Sequence, residues 1–179
     1  LALLKQQDLA KKMSEDIDEM ERMLNEYLEF SRHQKNEETE IVEINKIIED
    51  VTNKYENQKI KTSIEKDLKI NIRPNSIKRC LTNLIDNGLT YGKNVNVTTE
   101  KKIKNLLIIV DDDGPGIPEK EYQNVIKPFY RIDKSRGQNK SGVGLGLSIA
   151  NDIIRSHGGN IFLEKSHLSG LRVKISLPF

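Results

Sequence analysis

Leu106-Leu107-Ile108-Ile109-Val110-Asp111-Asp112-Asp113-Gly114-Pro115-Gly116-Ile117-Pro118 is an apolar run that ends in three carboxylates and then turns on Gly-Pro-Gly. Leu106 to Val110 is strand-sized and far short of the roughly 20 apolar residues a membrane helix requires. Gly-Pro-Gly specifies a backbone shape and not only polarity, since glycine opens left-handed conformations and proline fixes φ. A carboxylate at a strand's end can accept a hydrogen bond from an exocyclic amine such as adenine N6. The glycines beyond it let the backbone approach a planar base closely. Two other readings compete: a plain acidic turn, and a metal site. The second is the weaker, because carboxylates adjacent in sequence do not converge on one ion without a loop fold.

Working outward, the segment upstream predicts a helix from Ser76 to about Tyr91, with Ile77, Leu81, Leu84 and Ile85 on one face. Asn83 and Asn87 sit at i, i+4 on that helix, so their carboxamides share a face. Asparagine is a mediocre helix former, and a carboxamide oxygen is a hard, neutral ligand suited to Mg²⁺ whose charge phosphates already balance. The competing reading is a solvated polar face. Downstream, Ser141-Gly142-Val143-Gly144-Leu145-Gly146-Leu147-Ser148 opens a helix from about Leu145 to Ser156. Alternate glycines free consecutive N–H groups at a helix N-terminus, which suits phosphate. No Gly-Lys-Ser/Thr follows, so this is not the Walker loop, and its glycine spacing is not the dinucleotide fingerprint. A flexible hinge is the alternative.

The remaining elements alternate. Glu40–Ile44 predicts a strand, and Asn45 a cap for a helix from Lys46 to about Tyr55. Ile60–Ile64 and Leu68–Ile72 predict a hairpin turning at Glu65-Lys66-Asp67, and Val95–Thr99 and Leu106–Asp111 another turning at Glu100–Asn105. Gly158-Gly159 stops the last helix before strands Asn160–Lys165 and Leu171–Leu177. The expected class is α+β, with helices on one face of a largely antiparallel sheet.

The chain has 179 residues with 29 basic and 27 acidic side chains, a net charge of +2 that does not announce nucleic-acid binding. The charge is uneven: residues 1–40 hold 6 basic and 11 acidic groups, and the remainder 23 and 16. The shift falls at the polar linker Ser31–Glu38. Before it, Met13, Ile17, Met20, Leu24, Tyr27 and Leu28 recur three and four apart, a helix with one apolar seam in coiled-coil rhythm that calls for a partner helix, the alternative being that it packs on its own globular domain, and Asp8 is a fair N-cap for it. A single cysteine, Cys80, excludes an internal disulfide and suits a reducing compartment. The opening Leu1-Ala2-Leu3-Leu4, without Met or a signal pattern, leads us to expect a soluble, intracellular piece of a longer protein.

An Asn-bearing helix, Asp-x-Gly-x-Gly after a strand, Lys127-Pro128-Phe129-Tyr130-Arg131 and Gly-x-Gly-x-Gly before a helix follow one another in that order. Over residues 40–179 this resembles the ATP-binding domain of sensor histidine kinases, with its N, G1, F and G2 boxes. The resemblance implies a two-layer α/β sandwich of the histidine kinase, gyrase and heat-shock-90 type over 37–179. It makes residues 1–36 the C-terminal part of a helical dimerisation hairpin. The stretch from Ser76 to Gly92 looks most like the osmolarity-sensing, porin-regulating branch. By resemblance the substrate is ATP with Mg²⁺, the metal held by Asn87, with Asn83 one turn earlier facing the nucleotide. Asp112 falls on the adenine reader, Gly114 and Gly116 on the base pocket, and Tyr91 near base or ribose. Gly142, Gly144, Leu145 and Gly146 fall on the phosphate side. Phe129 anchors a lid of roughly 131–141, from which Arg131 and Lys134 to Arg136 would reach the γ-phosphate.

The family's function would follow: transfer of the γ-phosphoryl group to a histidine on the dimerisation hairpin, then relay to an Asp of a response regulator. The family also implies a homodimer through the helical segment and a cytoplasmic portion of a protein in the bacterial inner membrane. Two departures stand out. Thr90 occupies a position where many relatives carry a basic residue. The phosphoacceptor motif is missing from these residues, and His33, His157 and His167 read as ordinary surface histidines. Three rivals remain: another enzyme on the same ATP-binding fold, a truncated kinase remnant that only binds nucleotide or dimerises, and, suggested by the basic remainder alone, a nucleic-acid module.

Overall fold

The computed structural model describes residues 10, 13, 14, 17, 18, 20, 21, 24, 28, 37–55, 59–65, 67–132 and 144–179. The chain divides into two compact units, Leu1–Asn36 and Glu37–Phe179. In the first, the described residues are helical, and Met13, Ile17, Met20, Leu24 and Leu28 are exposed. The seam residue Tyr27, the Asp8 cap and His33 lie outside the described residues. Among the described residues no helix is long and apolar enough to cross a membrane.

The second unit is two layers. Strands β1 (Glu40–Glu43) and β3 (Lys69–Ile72) pair antiparallel as a small sheet. The larger sheet has the order β2-β4-β5-β7-β6, from β2 (Lys59–Ser63), β4 (Asn94–Lys101), β5 (Asn105–Asp112), β6 (Asn160–Lys165) and β7 (Leu171–Pro178). Its pairs are antiparallel except β2 with β4, which is parallel. The helices are α1 (Ile44–Thr52), α2 (Pro74–Tyr91), the single turn α3 (Tyr122–Val125) and α4 (Gly146–Ser156).

Alternation puts one face of the sheet in the core. Val97 opposes Val110, which opposes Val173, and Ile108 opposes Ile175, all of them buried. Against that face α2 buries Ile77, Leu81, Leu84 and Ile85, and α4 buries Leu147, Ile149, Ile153 and Ile154. At about 25 cal/mol per Å² this apolar layer is the main stabilising term. The two helices run antiparallel: Gly146 lies beside Asn83, Cys80 Sγ is 3.9 Å from the Ala150 carbonyl oxygen, and Arg73 meets Ser156.

Two local expectations are corrected. Asn45 is not the cap of α1. The helix starts at Ile44, which is fully buried and donates its N–H to the Leu68 carbonyl at 3.0 Å. Glu43 takes the cap position without a side-chain bond, and Asn45 falls inside the first turn. The hairpin of the second and third strands does not form either. β3 pairs with β1, and β2 with β4. Leu68, Ile70 and Ile72 are all buried, whereas Lys61, Thr62 and Ser63 are exposed, so a hairpin would join a strand with a core face to one without. Glu65 donates its N–H to Thr99 Oγ1 at 2.8 Å, which holds the end of β2 beside β4.

His157, just past α4, is structural. Its Nε2 accepts from the Arg73 N–H at 3.1 Å and its Nδ1 lies 2.7 Å from the Ile153 carbonyl oxygen, a pair of contacts that fits the neutral ring. Burial pushes its pKa below 6.5. The unfolded chain therefore takes up a proton first as pH falls through 6.5, and stability present above that value is lost below it. Urea unfolding at pH 7.5 and 5.5 should show this loss, and His157→Gln should flatten it.

Candidate active site

The three consecutive carboxylates do three different things, because strand pleating sends neighbours to opposite faces. Asp111 turns away from the helices and takes a two-point ion pair from Arg172, Nε at 2.9 Å and Nη2 at 3.0 Å. His167 Nδ1 stands 3.5 Å from the same carboxylate. Asp113, past the strand's end, accepts from the N–H groups of Lys93 (2.6 Å) and Asn94 (2.9 Å) and from the Asn94 carboxamide. Those bonds, the Asn94 side chain's first among them, bring its pKa down to about 2. Among the described residues no cluster of His, Cys, Asp or Glu could hold a metal ion.

Asp112 faces the helices and is 8% exposed. Its Oδ1 accepts from the Gly114 N–H at 2.9 Å and from the Leu171 N–H at 3.1 Å. Its Oδ2 receives no donor from the described residues. Burial pushes its pKa up, against the lowering effect of those two backbone donors. The result is a carboxylate fixed by one oxygen with the other open, which is what reading an amine requires.

Glycines make the room around it. A Cβ on Gly88 would stand 2.8 Å from Val95 Cγ2 and 3.2 Å from Asp112 Cβ, so α2 can approach β5 this closely only with glycine there. Gly170, in the turn between β6 and β7, wraps the other side, where a Cβ would lie 2.6 Å from the Gly114 nitrogen and closer still to Asp112. Gly114 passes Tyr91, which is half-exposed at the end of α2. Gly116, at φ +71°, faces the carbonyls of Ser169 and Gly170. Gly88, Gly170 and Asp113 were missed in the sequence reading. A glycine inside a helix, which costs about 1 kcal/mol against alanine, was the available signal for Gly88.

Asn83 and Asn87 lie on the same stretch of α2, both half-buried. Asn83 Nδ2 is buried with no partner, and neither carboxamide is bonded to a described residue. An orphaned buried donor costs about 1–3 kcal/mol, which a phosphate oxygen would recover. A free, neutral Asn87 oxygen beside it suits Mg²⁺ already charge-balanced by phosphates. The donor set fits the metal that the family implies.

Gly146, the first residue of α4, packs beside Asn83, and Leu145 is buried as its cap. Gly144, at φ +77°, is pressed against Phe129 and Tyr130, and its carbonyl accepts the Phe129 N–H at 3.0 Å. Phe129 itself has φ +63° and is half-exposed. Tyr130 donates its hydroxyl to Glu121 Oε2 at 2.7 Å, and Arg131 follows half-buried. Gly142, Lys134 to Arg136 and most of the 131–141 lid lie outside the described residues. Asn83 is thus brought beside Gly146, and Asp112 beside Gly88, Gly114 and Gly170.

Comparison with known proteins bears on the family and the fold. The family model for histidine kinase-, DNA gyrase B- and HSP90-like ATPases matches residues 72–179. The sensor histidine kinase GtrS of Pseudomonas aeruginosa is 33% identical over 98% of this chain, which spans 37% of that protein's length. The catalytic domain of histidine kinase ThkA superposes with a TM-score of 0.68 at 27% identity, covering 79% of this chain and 95% of that domain. The histidine kinase domain of the E. coli osmosensor EnvZ gives 0.60 at 31% identity, covering 78% of this chain and 88% of that domain. With that family model matched over more than half of its length, the chain belongs to the histidine kinase-, gyrase B- and HSP90-like ATPase family.

Proposed function

We propose that residues 37–179 are the ATP-binding catalytic domain of a two-component sensor histidine kinase and that residues 1–36 are the C-terminal part of its dimerisation hairpin. The observation that carries the reading is the pair of unpartnered carboxamides, Asn83 and Asn87, set near a carboxylate with one open oxygen. Asp112 Oδ2 accepts the adenine 6-amino group, and Gly114, Gly116 and Tyr91 shape the base and ribose side. Asn83 Nδ2 donates to a phosphate oxygen, and the N–H groups following Gly144 face the phosphates at the α4 N-terminus. Asn87 Oδ1 would hold Mg²⁺, which when bound would neutralise charge on the phosphates. Arg131, half-buried beside Gly144, approaches the γ-phosphate.

The chemistry asked of the domain is positioning more than covalent participation. A histidine nitrogen on a complete hairpin attacks the γ-phosphorus, the bond to the β–γ bridging oxygen breaks, and ADP leaves. A response-regulator Asp then takes the phosphoryl group. His157 and His167 are held in structural contacts with Arg73, Arg172 and Asp111, so neither serves as acceptor. The osmolarity-sensing branch is supported by the Ser76–Gly92 likeness and by the EnvZ domain. A relative with another printed name, GtrS, matches a larger share of this chain, so the proposal stands at the level of the kinase family. Cytoplasmic placement, beneath the membrane segments of a longer protein, goes with that reading.

The test is incubation of this chain with [γ-³²P]ATP and Mg²⁺, alone and with a histidine-bearing hairpin. Acid-labile, base-stable label on the hairpin and none on this chain is the expected result. Nucleotide binding without transfer would favour the remnant that only binds.

A further inference from the structure

Helix α2 has an N-terminus its own sequence does not cap. Arg73, at the cap position, makes no side-chain cap bond, and Pro74 brings no N–H. The next two N–H groups, of Asn75 and Ser76, donate instead to Glu37, at 2.6 Å to Oε1 and 3.0 Å to Oε2. Ser76 Oγ adds a bond to Oε2 at 2.7 Å, and Ile77 N–H returns to the Arg73 carbonyl at 3.1 Å. Every free donor of the first turn is thereby satisfied, three of the four bonds ending on or beside one carboxylate that is remote in sequence. A negative group is also what the helix dipole favours at that end.

The neighbouring contacts enlarge this into a joint. The Arg73 guanidinium bonds the Ser156 carbonyl at 3.2 Å and the Ser156 hydroxyl, at the C-terminal end of α4. The Arg73 backbone N–H reaches His157. Glu37 is the first residue of the domain unit. So the point where the chain enters the domain, the start of α2 and the end of α4 are tied at one place. The opposite stretches of those helices carry Asn83, Asn87 and Gly146. Helix α2 is pinned in its last turns where Gly88 meets Asp112 and Val95. From Gly88 to Asn75 is about 20 Å and from Gly88 to Asn83 about 7 Å at 1.5 Å per residue. The capped end and Asn83 lie on one helix packed along its length through Ile77, Cys80, Leu81 and Leu84, so the angle set at that end is carried to Asn83. Asp112 is held on the sheet by its own backbone donors.

Resting on the kinase reading above, we propose that Glu37 is a positioning residue for the phosphate half of the nucleotide site, acting through α2. It sets the angle of the asparagine helix against the sheet and so links the entering chain to phosphate and Mg²⁺ binding, without touching the nucleotide.

The experiment is calorimetric titration of the full chain with Mg·ATP and with adenosine, for the unmodified protein, Glu37→Ala, Glu37→Gln and Ser76→Ala, each below its unfolding transition. Glu37→Ala should weaken Mg·ATP about 3–10-fold and leave adenosine within error, since adenosine is read from the sheet. Glu37→Gln, which keeps one acceptor, and Ser76→Ala should shift Mg·ATP the same way by less. A lower Tm with unchanged Mg·ATP affinity would overturn the proposal and leave Glu37 a plain helix cap. Equal weakening of both ligands would also overturn it. Failure of the unmodified chain to bind either ligand would instead count against the nucleotide reading itself.

Discussion

Asp112→Asn is expected to weaken ATP binding about 100-fold while leaving the fold intact or firmer. Oδ1 is held by the Gly114 and Leu171 N–H groups, both of which are donors. An asparagine must keep its amide oxygen on them, so its NH₂ takes the place of the open Oδ2. The reader changes from acceptor to donor. An adenine 6-amino group would then meet a second donor, and ATP affinity should fall about 100-fold, the ~2.7 kcal/mol expected for a buried hydrogen bond replaced by two opposed donors. Inosine triphosphate, with a carbonyl oxygen at that ring position, should lose far less. The sign of the stability change follows from the pKa. Asp112 is raised above 3.8 by burial, so the folded state holds its proton longer than the unfolded chain, and stability falls as pH rises through that window. The neutral amide removes that loss, so Tm at pH 7 should not decrease. A drop in both Tm and affinity, or equal losses for ATP and inosine triphosphate, would contradict this account of Asp112.

Gly170→Ala should be the most damaging single methyl in the domain. The added carbon would lie 2.6 Å from the Gly114 nitrogen and nearer still to the Asp112 carbonyl and carboxylate oxygens. Two of those three atoms are backbone and cannot swing aside. Overpacking of this kind costs about 3 kcal/mol, roughly 6–12 °C in Tm for a domain of this size. It would also move the turn that fixes Asp112, so nucleotide affinity should fall with it. Gly146→Ala is the control. Its new methyl would meet Asn83 at 3.8 Å and 3.9 Å, ordinary contact, and a helix-favouring alanine there should leave Tm unchanged or raise it. Thermal melts of the two variants side by side decide the matter.

Those two glycines differ in how local their constraints are. Gly146 is marked in the sequence by its run of alternating glycines, and the three carboxylates by the apolar strand that leads through them into Gly-Pro-Gly, the choice of Asp112 among them coming from the family resemblance. Such signals are local. The antiparallel pair of β4 and β5, the α2 face of Ile77, Leu81, Leu84 and Ile85, and the Gly158-Gly159 stop were legible for the same reason. Gly170 carries no local signal, because what it avoids is Asp112, far away in the chain and brought near only by the β5–β7 pairing. The failed hairpin of β2 and β3 has a related cause. Alternation identifies a strand but not its partner, and here the partners were decided by which strand had a core face to bury. The separate duties of Asp111, Asp112 and Asp113 were half-legible. Pleating predicts that Asp111 and Asp112 part, but Arg172 as the partner of Asp111 comes from the opposite strand. Glu37 at the head of α2 is non-local as well, and a sequence search for a capping residue looks beside the helix.

Calorimetric titration of ATP with and without Mg²⁺ shows whether this fold holds Mg·ATP through the asparagine face of α2. The unmodified chain and Asn87→Ala should be titrated together. Binding in the micromolar range that requires Mg²⁺ and is lost in Asn87→Ala is the predicted result. Binding that ignores Mg²⁺ and survives the substitution, or no binding to either protein, would contradict it.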